Sequence, residues 1–192
     1  MKKLAIGLML SMVSVSAFAN TNTDWTPFFK TWENGCNNTQ DTERLFNSLI
    51  PNYEHWGYIY TSQNRNEYKP QRLLLPQKYQ SAVIEGIKIN DNGREFKYTW
   101  NDNIFQSKIK VAGKYYGIPM EEIGFFGIME TGVHMPYFVV NSPYNKVKST
   151  LKQKAKIKKG YSEFGDNPYP EMEIFKHPKF TNKTVIMCNL SN

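Results

Sequence analysis

Two apolar runs, residues 123–130 and 135–140, stand on either side of Thr131-Gly132, and no other feature limits the possible folds as tightly. Both are short for a buried helix and both are bounded by turn residues, so the pair reads as a hairpin through the core. Gly124 and Gly127 interrupt the first run, as glycines do at a bulge or where another group approaches the backbone closely. Asn141-Ser142-Pro143 ends the second run. Ser142 is a suitable N-cap, and Pro143 suits the first helical position, where its missing N–H costs nothing. Val147, Leu151 and Ala155 then recur at a spacing of four, one thin apolar stripe on a helix. A strand–strand–helix unit is expected at the centre of the domain.

Before it, Trp25, Phe28, Phe29 and Trp32 fall on one helical face, with Thr26-Pro27 to start the turn and Gly35 to stop it. Such a stripe serves a ligand or a membrane less often than it packs on its own domain, and packing is the expectation here. A second helix starts after Asn38-Thr39, with Asp41 and Glu43 in its first turn, Leu45, Phe46, Leu49 and Ile50 on its inner face, and Pro51 at its end. Residues 56–61 alternate as a short strand. The polar segment 62–80, with Leu73-Leu74-Leu75-Pro76 inside it, is long enough to be a binding loop or to hold an element of its own.

Next come three period-two stretches. Val83, Glu85, Ile87 and Ile89 form the first, Phe96, Tyr98 and Trp100 the second, and Phe105, Ser107, Ile109 and Val111 the third. Asn90-Asp91-Asn92-Gly93 and Asn101-Asp102-Asn103 supply the turns. They predict a three-stranded antiparallel meander with one wet face. Beyond the central unit, Ala155 and Ile157 alternate with lysines as a further strand would, residues 160–170 read as a loop, and residues 171–176 and 183–190 as two closing strands. The fold class expected is α+β: two N-terminal helices, a largely antiparallel sheet, and one helix after Ser142 packed on it.

Residues 1–19 read as a cleaved secretory signal, with Lys2 and Lys3, an apolar run and the ending Ala17-Phe18-Ala19. Residues 20–192 then form one exported domain. No later stretch is long and apolar enough to span a bilayer, and no cysteine stands at the cleavage site to carry a lipid. The periplasm is the expected destination, the extracellular medium the alternative. Cys36 and Cys188 are the only cysteines. In an oxidising compartment they read as a disulfide closing nearly the whole domain, while Cys36 as a nucleophile lacks any accompanying signature.

The formal charge is +7, and its basic part is concentrated. Lys146, Lys148, Lys152, Lys154, Lys156, Lys158 and Lys159 occur with no acid among them; outside this run and the signal lysines, acids outnumber bases by two. Such a patch attracts an acidic protein or an anionic envelope surface, unless it is only a solvated helix face and a lysine-guarded strand edge. Nucleic acid is not an expected partner, because the run lacks arginines and interleaved aromatics for base contact.

Chemistry is sparsely marked. His55, His134 and His177 make no metal-ligand spacing, so no metal is expected. Glu130 and His134 flank the central turn, and meeting across it they would make a general acid–base pair; a turn histidine with one hydrogen bond is the plainer alternative. The sequence holds no nucleophile elbow, phosphate loop or dinucleotide fingerprint, and no cofactor is expected. Asn37-Asn38-Thr39 and Asn182-Lys183-Thr184 match the glycosylation pattern, which matters only in a glycosylating host. The expectation is an exported non-enzymatic binding protein of the inhibitor or immunity kind, meeting a partner protein through the lysine run with help from residues 62–80. A small hydrolase using His134 and Glu130, or an envelope structural component, are the alternatives.

Overall fold

The computed structural model describes residues 20–50, 72–90, 104–128, 133–158, 171–188 and 190. Its N-terminal segment folds as α1 (Thr26–Phe29), a 3-10 turn (Lys30–Glu33) and α2 (Gln40–Leu49). The aromatic stripe is wholly buried: Trp25, Phe28, Phe29 and Trp32 are all less than 5% exposed. Phe29 stacks on Phe138 at 4.5 Å between ring centres and Trp32 on Phe46 at 5.4 Å. Trp25 Nε1–H donates to the Ala112 carbonyl at 2.8 Å, so this indole is buried with its polar edge satisfied. Gly35, at φ 66°, ends the turn in the left-handed conformation expected of it. Thr39 and Thr42 cap α2 reciprocally, side chain to backbone in both directions.

The segment before the sheet carries an element that periodicity did not reveal. Residues 77–80 form one helical turn, α3 (Gln77–Gln80), whose Tyr79 is buried and stacks on Trp25 at 4.7 Å. This end of the 62–80 segment is a packing element; residues 62–71 lie outside the described residues, as do 51–61.

Seven strands follow: β1 (Val83–Asn90), β2 (Ile104–Val111), β3 (Lys114–Tyr115), β4 (Ile118–Ile128), β5 (Val133–Val140), then α4 (Tyr144–Lys154), β6 (Met172–Lys176) and β7 (Thr184–Cys188). Every pairing is antiparallel, in the order β1-β2-β4-β5-β7-β6, with β3 hairpinned onto β4. The central hairpin is β4–β5, as expected, with Gly127 opposite His134. The meander is present with a different composition. β1 pairs directly with β2, Ile89 opposite Ser107, so its members are β1, β2, β4 and β5. Phe96, Tyr98 and Trp100 lie outside the described residues.

Both faces of the middle strands are buried. Ile123, Phe125, Phe138, Val140, Ile186 and Cys188 join the helices in the main core, while Phe126, Met135, Tyr137, Val139, Val185 and Met187 form a second cluster on the opposite face. Burial on two faces explains why β4 and β5 read as apolar runs rather than as alternation.

Two expectations around α4 are corrected. Pro143 takes the N-cap position with no side-chain cap, and Ser142 is instead buried, its carbonyl accepting a 2.7 Å bond from Thr184 Oγ1. Docking of Ser142 on β7 moves the helix start one residue along. Ala155 ends the helix in extended conformation, and the described residues after it, 156–158, form one parallel bridge between Lys158 and Asn34 rather than a strand. Val147 and Leu151 are buried, as the stripe predicted.

Candidate functional site

The lysine run folds into two connected pieces. Lys146, Lys148, Lys152 and Lys154 project from α4, and Lys156 and Lys158 from the extended strap that follows; all six are exposed. Among the described residues none of the six has an ion-pair partner, and Lys148 lies 5.6 Å from the Tyr144 ring centre. Lys159 lies outside the described residues. The strap is held by backbone bonds: Lys158 N–H donates to the Glu33 carbonyl at 2.7 Å, and Gly35 N–H to the Lys158 carbonyl at 3.0 Å. The next residue, Cys36, is disulfide-bonded to Cys188 in β7, with 5.6 Å between the α-carbons, as the sequence predicted. The lysines therefore stand on a frame fixed to both the N-terminal turn and the sheet.

Glu33 is the hub of that frame, and its side chain is only 4% exposed. Its Oε1 accepts from the Tyr116 hydroxyl at 2.6 Å, with the Tyr115 hydroxyl at 3.4 Å; its Oε2 accepts from Lys30 Nζ at 2.8 Å and from Lys156 N–H at 3.0 Å. Burial pulls the Glu33 carboxyl upward, but bonds from Lys30, Tyr116 and the Lys156 amide outweigh it and hold the group below its ordinary value. Burial and the same carboxylate push the Tyr115 and Tyr116 hydroxyls up. Bonds to Glu33 and Tyr116 raise Lys30. Sequence reasoning passed over Glu33. The one available signal was an acid directly after Trp32, next to the face destined for burial.

A second polar network lies on the opposite face of the sheet. The Tyr137 hydroxyl accepts from Gln106 Nε2 at 2.6 Å and donates to Glu122 Oε1 at 2.8 Å, and Lys108 Nζ stands 3.0 Å from Glu122 Oε2. Gly124, directly opposite Tyr137 in β5 and Lys108 in β2, lies under the Tyr137 ring. Its interruption of the apolar run thus marks a close approach, as expected.

Of the proposed acid–base pair, Glu130 lies outside the described residues, as does His55. His134 is placed by its backbone in β5, and its side chain is likewise outside them. His177 is buried and accepts from Lys179 N–H through Nδ1 at 3.1 Å, a local turn contact. Among the described residues no three His, Cys, Asp or Glu side chains gather as a metal site, and no helix is long and apolar enough to cross a membrane. No family model, no curated protein and no solved structure matches the chain.

Proposed function

We propose that this chain is an exported, periplasmic, non-enzymatic binding protein that neutralises an acidic partner protein through the lysine face from Lys146 to Lys159. One observation carries the reading: six exposed lysines, with no ion-pair partner among the described residues, share a helix and a strap tied to a disulfide-linked frame. Unpaired like charges raise the local potential, and a rigid mounting lowers the ordering cost of association. The buried Cys36–Cys188 bridge supports an oxidising compartment.

The test is affinity capture from envelope and culture extracts with the oxidised protein beside a Lys-to-Gln variant of the run. The expected result is an acidic protein retained by the parent, lost from the variant, and released as added salt shortens the Debye length from about 10 Å to about 3 Å. A partner held equally by both baits sinks the lysine-face reading.

A further inference from the structure

Two of the irregularities in the sheet converge on one place. Between Val83–Val111 and Glu85–Lys110 the β1 strand spends one residue more than β2, and the extra residue is Ile84. Between Met120–Val140 and Glu122–Val139 the β4 strand does the same against β5, and its extra residue is Glu121. A bulge re-aims a side chain that regular pairing would send elsewhere. Both bulged residues line a single cavity of about 440 Å³ at the end of the sheet, where β1, β4 and β7 begin and β2 and β5 end. That volume lies in the range of small-molecule sites, roughly 300–1,000 Å³.

The lining has two characters. Ile84, which is 49% exposed, offers the apolar surface; Val111 and Met120 also line the cavity but are buried in the main core. Three lysines, Lys110, Lys114 and Lys183, line the cavity with a single acid, Glu121. Lys183 is matched by Glu121 at 2.6 Å. Among the described residues Lys110 has an exposed contact with Glu85 at 3.3 Å, and Lys114 has no ion-pair partner. The excess charge therefore sits at Lys110 and Lys114.

Several backbone donors around the cavity are already used. The N–H groups of Ala112, Lys114, Met120 and Asn141 all bond to carbonyls within the fold. A phosphate, whose several oxygens favour a nest of free amides, would find these four engaged. Lysine alone is a point charge, suited to one anionic group without strict geometry. We infer that the cavity binds an amphipathic monocarboxylate, its charged end at Lys110 and Lys114 and its apolar tail on Ile84. This site is separate from the lysine face, and either can fail without the other.

Titration of the oxidised, isotope-labelled protein with sodium octanoate, followed by amide NMR, tests this. Expected are saturable shifts at Ile84, Lys114, Glu121 and Lys183. A Lys110→Gln/Lys114→Gln variant binds octanoate about fivefold more weakly. It binds 1-octanol as the parent does, and Ile84→Ser weakens both ligands. All three substituted positions are exposed, so the variants keep the parent spectrum elsewhere. Absence of saturable shifts in the cavity, equal octanoate affinity in the lysine variant, or shifts confined to α4 would overturn the proposal.

Discussion

The Tyr116 hydroxyl donates a 2.6 Å hydrogen bond to the Glu33 carboxylate, joining residues 83 positions apart. Tyr116 occupies the left-handed region, at φ 51°, beside Gly117 at φ 79° in the tight β3–β4 turn. Tyrosine is a costly residue there, and it is held by this bond, by the Lys30 ammonium on its hydroxyl and by its own N–H to Thr26 Oγ1 at 2.7 Å. Removing the hydroxyl in Tyr116→Phe leaves a buried carboxylate short of a donor. The expected loss is about 1–3 kcal/mol in urea denaturation.

Acid should act through the same group. The folded Glu33 carboxyl lies below its ordinary 4.5, so the unfolded chain takes up the proton first as pH falls. The stabilisation is complete above that ordinary value and is lost as pH drops through the lower folded one. Glu33→Gln is therefore expected to be less stable than the parent at neutral pH, with the gap narrowing in progressively more acid solution. A gap independent of pH would show that the charge on Glu33 does not matter.

The Cys36–Cys188 bridge spans 152 positions, and both residues are buried. In the chain-entropy account a loop of this size stabilises by about 5 kcal/mol. Replacing both cysteines with alanine is expected to lower the denaturation midpoint accordingly, and the native bridge should resist thiol reductants until the protein unfolds. Denaturation with and without reductant measures both effects.

Glycines in the two strands that flank β2 should respond oppositely. A Cβ on Gly124 would run into the Tyr137 ring, whereas one on Gly86 meets nothing within 4 Å. Gly124→Ala is expected to cost about 1–3 kcal/mol through overpacking, and Gly86→Ala to be neutral or stabilising by about 0.5–1 kcal/mol. Thermal denaturation of the two variants decides it.

Lys146 sits in the first turn of α4, which contains no acid. A cation there opposes the helix dipole, so Lys146→Glu should stabilise the protein by about 0.3–1 kcal/mol. The same change is expected to weaken capture of the acidic partner. Gain of stability with undiminished capture would remove Lys146 from the binding face.

Features confined to neighbouring residues were legible from the chain. The aromatic face 25–32, the inner face of α2, the central hairpin, the closing strands and the buried stripe on α4 all follow from the 3.6 and 2.0 periods, which the backbone sets without reference to distant partners. A cysteine pair was also legible, because two thiols allow only one intramolecular bridge. The lysine run was visible as composition.

Tertiary structure decided the rest, because register and burial are settled by which distant face wins the core. Whether β1 pairs with β2 directly, and where each strand spends an extra residue, depends on the partner strand; so the meeting of Ile84 and Glu121 at one cavity has no trace in either local sequence. Ser142 reads as a cap until Thr184 claims its carbonyl. Glu33 reads as a surface acid until Lys30, Tyr116 and the Lys156 amide converge on it, and a carboxylate enters a core only when such partners from remote segments arrive together.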